Sequence, residues 1–180
     1  MARDDDAMLV DACLRGDRNA FDKLVDRYEG PLFSAAFRIT GSVEDAMDAT
    51  QNAFVNAYEK LHTFDPTYKF FSWIYRIAVN QSLNLVDRRK NQTEFVEDTP
   101  AESSGPAEIF DSTEARGHLK KALLNLEPNY RTVIVLKHLE GFSYREIGEL
   151  LEIPEKTVKS RLFTARQRLR VILTEQGFAP

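Results

Sequence analysis

Little in this chain of 180 residues supports chemistry of its own. It has one cysteine, so an internal disulfide is excluded, and Leu9, Val10 and Leu14 around Cys13 place the thiol on an apolar helix face. Its three histidines, His62, His118 and His138, fall in separate segments and make no spaced metal-ligand motif with Cys13. The eight glycines form no phosphate-cradling loop, and there is no distinctive Ser-His-Asp or Cys-His arrangement. No enzyme activity, metal or cofactor is expected. Residues 1–19 lack the basic start and apolar run of a secretion signal, and no stretch reaches the roughly 18 apolar residues that a membrane helix needs. The expectation is a cytoplasmic protein without direct membrane insertion.

Net positive charge is also missing, since the chain carries -4. That balance misleads until it is divided along the sequence. Residues 1–95 hold 12 bases and 15 acids, residues 96–115 hold 6 acids and no base, and residues 116–180 hold 12 bases and 7 acids. The acidity is concentrated in the middle. Within the last part, Lys156, Lys159, Arg161, Arg166, Arg168 and Arg170 occur with no intervening acid. Screening at cellular salt limits distant charges to a reach of roughly 8 Å, so a phosphate backbone would feel this local cluster.

What is abundant is helical periodicity. The composition, 43% hydrophobic and 29% charged, is that of a folded globular chain. Helices are expected near 5–15, 20–40, 43–61 and 70–89, with Asn19 and Ser42 as caps. Pro66 breaks the run at 62–69. Residues 91–111 contain two prolines, a glycine and repeated acids with little to bury, and read as a flexible acidic linker. Its length favours two modules free to vary their separation, with a packed pair as the alternative. A second block is expected to hold helices at 113–125, 128–139, 144–151 and 155–174, with Pro128 in a first turn and Ser143 and Glu146 in a capping box. The fold class is all-α: domains at 1–90 and 113–180, linked by 91–112, the second a four-helix domain.

The segment YREIGELL, the turn EIP and the basic helix after it form a helix-turn-helix pattern. Val158, Leu162, Ala165, Leu169 and Ile172 make an inward seam. Thr157, Ser160, Arg161, Thr164 and Arg168 then fall outward, with Lys156 and Lys159 adding charge. Arg161 is the leading base reader, because a guanidinium can bond guanine N7 and O6 together.

Residues 70–89, FFSWIYRIAVNQSLNLVDRR, carry a second pattern. Trp73, Arg76, Asn80, Asn84 and Arg88 recur every three or four positions, while Phe71, Ile74, Ile77, Ala78 and Leu85 suffice for the core side. Phe64 and Tyr68 precede them around the proline turn, and Lys69 and Arg89 add charge. Rings that stack on bases, amides that reach base edges and cations that follow phosphates suit an unpaired strand. Such rings at helical spacing are also common core residues, and Phe64 and Tyr68 can instead close the turn. On VEDAMDATQNAFVNAYEKL, residues 43–61, Ala46, Ala49, Ala53 and Ala57 permit close packing, joined by Phe54, Tyr58 and Leu61. Asp45, Asp48, Gln51 and Asn52 stay polar, which suits either a solvated face or a basic protein partner. A helix-turn-helix regulator and a purely protein-binding module both remain open on these residues.

Two long segments, EDAMDATQNAFVNAYEKLHTFDPTYKFFSWIYRIAVNQSLNLVDRRK and LEPNYRTVIVLKHLEGFSYREIGELLEIPEKTVKSRLFTARQRLR, resemble the signatures of bacterial RNA polymerase sigma factors of the extracytoplasmic-function (ECF) family. The resemblance covers about residues 18–90 and 114–172. It implies a promoter-specificity subunit that binds core RNA polymerase, recognises two upstream DNA elements and helps open the duplex, with an anti-sigma factor as its inhibitor. By the same resemblance Asp45, Asp48, Gln51 and Asn52 lie near the polymerase clamp. Phe64, Tyr68, Lys69, Trp73, Arg76, Asn80, Asn84 and Arg88 face the minus-ten element. Lys156, Thr157, Lys159, Ser160, Arg161, Thr164 and Arg168 face the minus-thirty-five element. Ile74, Gly148 and Glu152 depart from the family's usual leucine, alanine and glycine.

Overall fold

The computed structural model describes residues 2–93 and 114–177, and among these every regular element is helical. The first block contains α1 (Ala2–Leu14), α2 (Arg18–Thr40), α3 (Val43–Lys60) and α4 (Phe70–Thr93), with a short 3-10 turn at Leu61–Thr63. The second contains α5 (Glu114–Leu124), α6 (Pro128–Ile134) continued by a π-helical turn at Val135–Leu139, α7 (Tyr144–Leu151) and α8 (Glu155–Glu175). α4 runs past the expected end at Arg89 into the start of the expected linker; the rest of that linker, residues 94–112, lies outside the described residues. None of the described helices is long and apolar enough to cross a membrane.

Local chemistry sets the helix ends. Ser42 caps α3, its hydroxyl accepting the Asp45 amide at 3.3 Å. Ser143 and Glu146 form the reciprocal box on α7, with bonds of 3.2 Å and 2.8 Å. The cap of α2 is Asp17 rather than Asn19: the Asp17 carboxylate accepts the Asn19 amide at 3.0 Å. A carboxylate two residues upstream outcompetes the amide because it also meets the positive end of the helix dipole.

The alanine stripe of α3 fulfils its expectation, with Ala46, Ala49, Ala53 and Ala57 all fully buried against α2 and α4. α4 contributes Phe70, Ile74, Ala78 and Val79, together with Tyr75, which the amphipathic pattern left outside. α1 is pinned by the buried Asp6 carboxylate, which accepts from Arg27 and from the Tyr28 hydroxyl; Cys13 is half-buried and packs on the same core. In the second block Val158, Leu162 and Ala165 of α8 are buried, while Leu169 and Ile172 are only partly covered.

The two blocks do not stand apart: their apolar residues merge into one cluster. The Phe71 ring stacks on Phe142 at 5.2 Å between centroids. Glu140 accepts from the Tyr75 hydroxyl at 2.9 Å and from Arg38 at 2.7 Å. Burial and this carboxylate push the Tyr75 hydroxyl well above its ordinary pKa. Lys120 sits over the Phe37 ring at 4.7 Å, and Leu124 packs onto Gly41, whose φ of 74° ends α2. The packed alternative therefore replaces the expectation of modules at variable separation.

Two departures from the family pattern have physical roles in the α7–α8 turn. A Cβ on Gly148 would lie 2.8 Å from the Ile153 carbonyl oxygen, which itself follows the tight return of the chain. Gly148→Ala is expected to cost about 1–3 kcal/mol through this overlap, read as a lowered thermal midpoint at unchanged helix content. Glu152 stands in the left-handed region at φ 55°, where glycine is the ordinary occupant. Side chains in that region cost on the order of 1 kcal/mol.

Candidate nucleic-acid interface

The α4 face is built by the turn that precedes it. Asp65 accepts the Thr67 amide at 2.9 Å and so closes the loop around Pro66, a bond that also holds the Asp65 carboxyl below its ordinary pKa. Phe64 then turns inward and is buried, in the turn-closing place that was the alternative to a stacking platform. Its ring lies edge-on to Phe70 at 5.7 Å and 5.3 Å from Trp73, so its role is to hold the indole. With Phe70 5.6 Å away on the other approach, Trp73 is half-buried, anchored at its base and accessible over part of its surface.

The other members of the stripe point outward. Tyr68, Lys69, Arg76, Asn80, Asn84 and Arg88 are all exposed, with Tyr68 reaching 63%. One edge thus offers aromatic surface, amides and cations in succession, as an unpaired strand requires. Two of the cations already have partners from the second block: Arg76 pairs with Glu152, and Lys69 lies 3.6 Å from Glu146. The Ser143 amide and hydroxyl, and to a lesser degree Lys69, hold the Glu146 carboxyl below its ordinary range.

On α3 the structure separates the four polar residues. Asp48, Gln51 and Asn52 are exposed, whereas Asp45 is half-buried and ion-paired to Arg89. Tyr58, expected among the packing residues, is 51% exposed although its ring edge touches Phe21 at 5.0 Å. Met47 and Val55 are likewise exposed. Sequence reading passed over both, although their positions on the far side from the alanine stripe were the available signal. The α3 surface is therefore mixed apolar and acidic, a composition suited to a protein partner rather than to DNA.

Helix α8 presents a slightly rotated face. The buried seam of Val158, Leu162 and Ala165 puts Lys156, Ser160, Phe163 and Gln167 farthest from the core, while Thr157, Arg161 and Thr164 flank that line half-buried. Phe163, at 64% exposure, was missed because an aromatic residue in a helix usually reads as core. Lys159 is exposed and paired with Glu155 at 2.7 Å. Arg168, expected on the same DNA-facing side, is exposed, pairs with Glu127 and lies over the Tyr130 ring at 4.4 Å, joining α8 to the start of α6. The neighbouring Arg131 is buried, and burial, assisted by Arg89, pushes its guanidinium pKa down to about 10, still protonated at neutral pH.

Two faces of this kind on one chain narrow the choice, and comparison with known proteins decides it. Residues 24–92 match the Sigma-70 region 2 model and residues 116–169 match the model of Sigma-70, region 4. The ECF RNA polymerase sigma factor SigW of Bacillus subtilis (strain 168) is 35% identical over 169 residues, spanning 87% of this chain and 90% of SigW. The chain belongs to the ECF sigma factor family. CnrH, solved in complex with the cytosolic domain of CnrY, superposes with a TM-score of 0.71 at 29% identity, covering 95% of this chain and 98% of CnrH. The sigma factor RpoE from Bartonella quintana, solved with the anti-sigma factor NepR, gives 0.72 at 25% identity over 86% of this chain and 96% of RpoE. As a sigma factor, the chain binds RNA polymerase and promoter DNA through regions 2 and 4 and is not an enzyme. The region 2 match runs from within α2 through α3 to α4, and the region 4 match takes in α7 and most of α8, the helices of the helix-turn-helix pattern.

Proposed function

We propose that this sigma factor acts in the cytoplasm, where region 2 docks on core polymerase through α3 and captures the opened minus-ten strand on α4, while α8 reads the minus-thirty-five element. The observation that carries the reading is the continuous exposed edge from Tyr68 to Arg88, which has the half-buried Trp73 anchored at its aromatic end. Unpaired bases stack on the indole and Tyr68, Asn80 and Asn84 bond base edges or sugar, and Arg76, Lys69 and Arg88 follow the phosphates. Preferential affinity for separated bases shifts the closed-to-open balance without any covalent step by this chain. Upstream, Arg161 bonds a guanine edge, Phe163 meets a thymine methyl, and Lys156, Thr157, Lys159, Ser160 and Thr164 fix the backbone.

Asp48, Gln51 and Asn52, with Met47, Val55 and Tyr58 beside them, form the polymerase-facing surface. Replacing Asp48 and Gln51 together by alanine is expected to weaken core association about tenfold, measured as a dissociation constant, and an unchanged constant removes that contact. A protein inhibitor, an anti-sigma factor, is proposed as a further partner, because RpoE was solved in complex with the anti-sigma factor NepR and CnrH in complex with the cytosolic domain of CnrY. Purified transcription with core polymerase and a randomised promoter library tests the function as a whole. Start sites set by two enriched elements support it; initiation that is indifferent to both elements rejects it.

A further inference from the structure

The Sigma-70 region 2 match begins at residue 24, so α1 lies outside it, and none of its residues belongs to the surfaces assigned above. Yet α1 carries a carboxylate that simple packing does not need. Asp6 is 5% exposed, and both of its oxygens are engaged: Oδ1 accepts from Arg27 and Oδ2 from the Tyr28 hydroxyl. Burying a charge is a poor means of gaining stability, since apolar residues of similar size often do as well or better; what such a pair can fix is one register and one orientation. Burial, reinforced by the Asp6 carboxylate, pushes the Tyr28 hydroxyl well above its ordinary pKa, so it stays a donor at physiological pH. The ring held in this way leads to the indole. Tyr28 is itself buried and packs 5.7 Å from Phe70 and 6.1 Å from Phe71, centroid to centroid. Phe70, also buried, lies 5.6 Å from Trp73. α1 also touches the 3-10 turn at Leu61–Thr63, which delivers Phe64 to 5.3 Å from the indole. Both rings that seat Trp73 are thus backed by α1, one through Tyr28 and one through the turn.

We propose that Asp6 is a positioning residue for minus-ten strand capture: through Tyr28 and Phe70 it sets the tilt and depth of the Trp73 indole that receives an unpaired base. This rests on the reading of α4 given above. Stacking depends on the angle at which a ring is presented, and a close-packed aromatic seat fixes that angle only if the seat itself is held. The Asp6–Tyr28 bond holds it from beneath, so α1 serves strand capture without touching a nucleotide.

Trp73 is the single tryptophan of the chain, so fluorescence of the free protein reports on its seat directly. Tyr28→Phe keeps the ring and deletes the hydroxyl. Asp6→Leu combined with Tyr28→Phe replaces the polar pair by apolar side chains, which is expected to preserve helix content and folding stability while releasing the orientation. With either variant, measured well below its thermal midpoint, promoter opening by the holoenzyme is expected to fall about fivefold, the effect of one lost hydrogen bond. Trp73 emission should move to longer wavelength and become more open to acrylamide quenching. Core association and binding to the upstream duplex element should stay unchanged. A role in folding alone would lower the midpoint and leave opening and Trp73 emission as they are, and that result overturns the proposal. So does an opening defect that appears only with an equal loss of core association. Normal opening by holoenzyme carrying Trp73→Ala would mark failure of the α4 reading itself and would remove the proposal with it.

Discussion

Holoenzyme carrying Trp73→Ala is expected to open promoters roughly 5- to 150-fold less well, since stacking on a base contributes about 1–3 kcal/mol. Core association should stay unchanged, because α3 lies on a different surface. The indole also packs on Phe64 and Phe70, so some stability is lost with it. Trp73→Phe separates the two effects: it keeps a ring on the same anchor and should recover most of the folding stability and only part of the opening. Asn80→Ala, at an exposed position with no packing role, is expected to reduce opening with no change in thermal midpoint. Permanganate reactivity of unpaired thymines in the minus-ten element measures both. Normal reactivity with either variant removes that residue from strand capture.

The second large effect concerns α8. Arg161→Ala should cost about 1–3 kcal/mol at one guanine of the upstream element and relax selectivity there alone. Equal losses on every sequence would instead assign Arg161 to phosphate contact. Phe163 offers a sharper comparison, because its proposed partner is a single methyl group. Replacing the contacted thymine by uracil should weaken binding by the natural protein about fourfold, the effect of one buried carbon at roughly 0.8 kcal/mol. Phe163→Ala should make binding indifferent to that methyl. Continued sensitivity to uracil in the variant would place the methyl against another residue.

Elements governed by local rules were readable from the sequence. The alanine stripe at spacings of three and four, the Ser143–Glu146 box and the Val158, Leu162 and Ala165 part of the α8 seam depend on neighbours within one or two turns, and each occurs where the pattern puts it. The errors came where distant residues decide. Tyr75 is not among the residues that the pattern puts on the core side, yet its hydroxyl finds Glu140, 65 positions away, and the ring is buried. Phe64 follows a 3-10 turn whose inward direction no helical period announces. Asp45 has the same residue type as Asp48, and only the end of α4 with Arg89 distinguishes them. The contact between modules was hidden for the same reason: an acidic segment rich in proline and glycine predicts freedom, while Phe71, Phe142 and Glu140 make the packing from either side of it.

Photo-cross-linking from position 73 is the most direct measure of what α4 touches. With p-benzoyl-phenylalanine in place of Trp73, the holoenzyme in its open complex should cross-link to unpaired bases of the minus-ten element, and the yield should fall when the promoter is held closed at low temperature. Cross-links confined to protein in the open complex, or to duplex DNA alone, would contradict strand capture by this face.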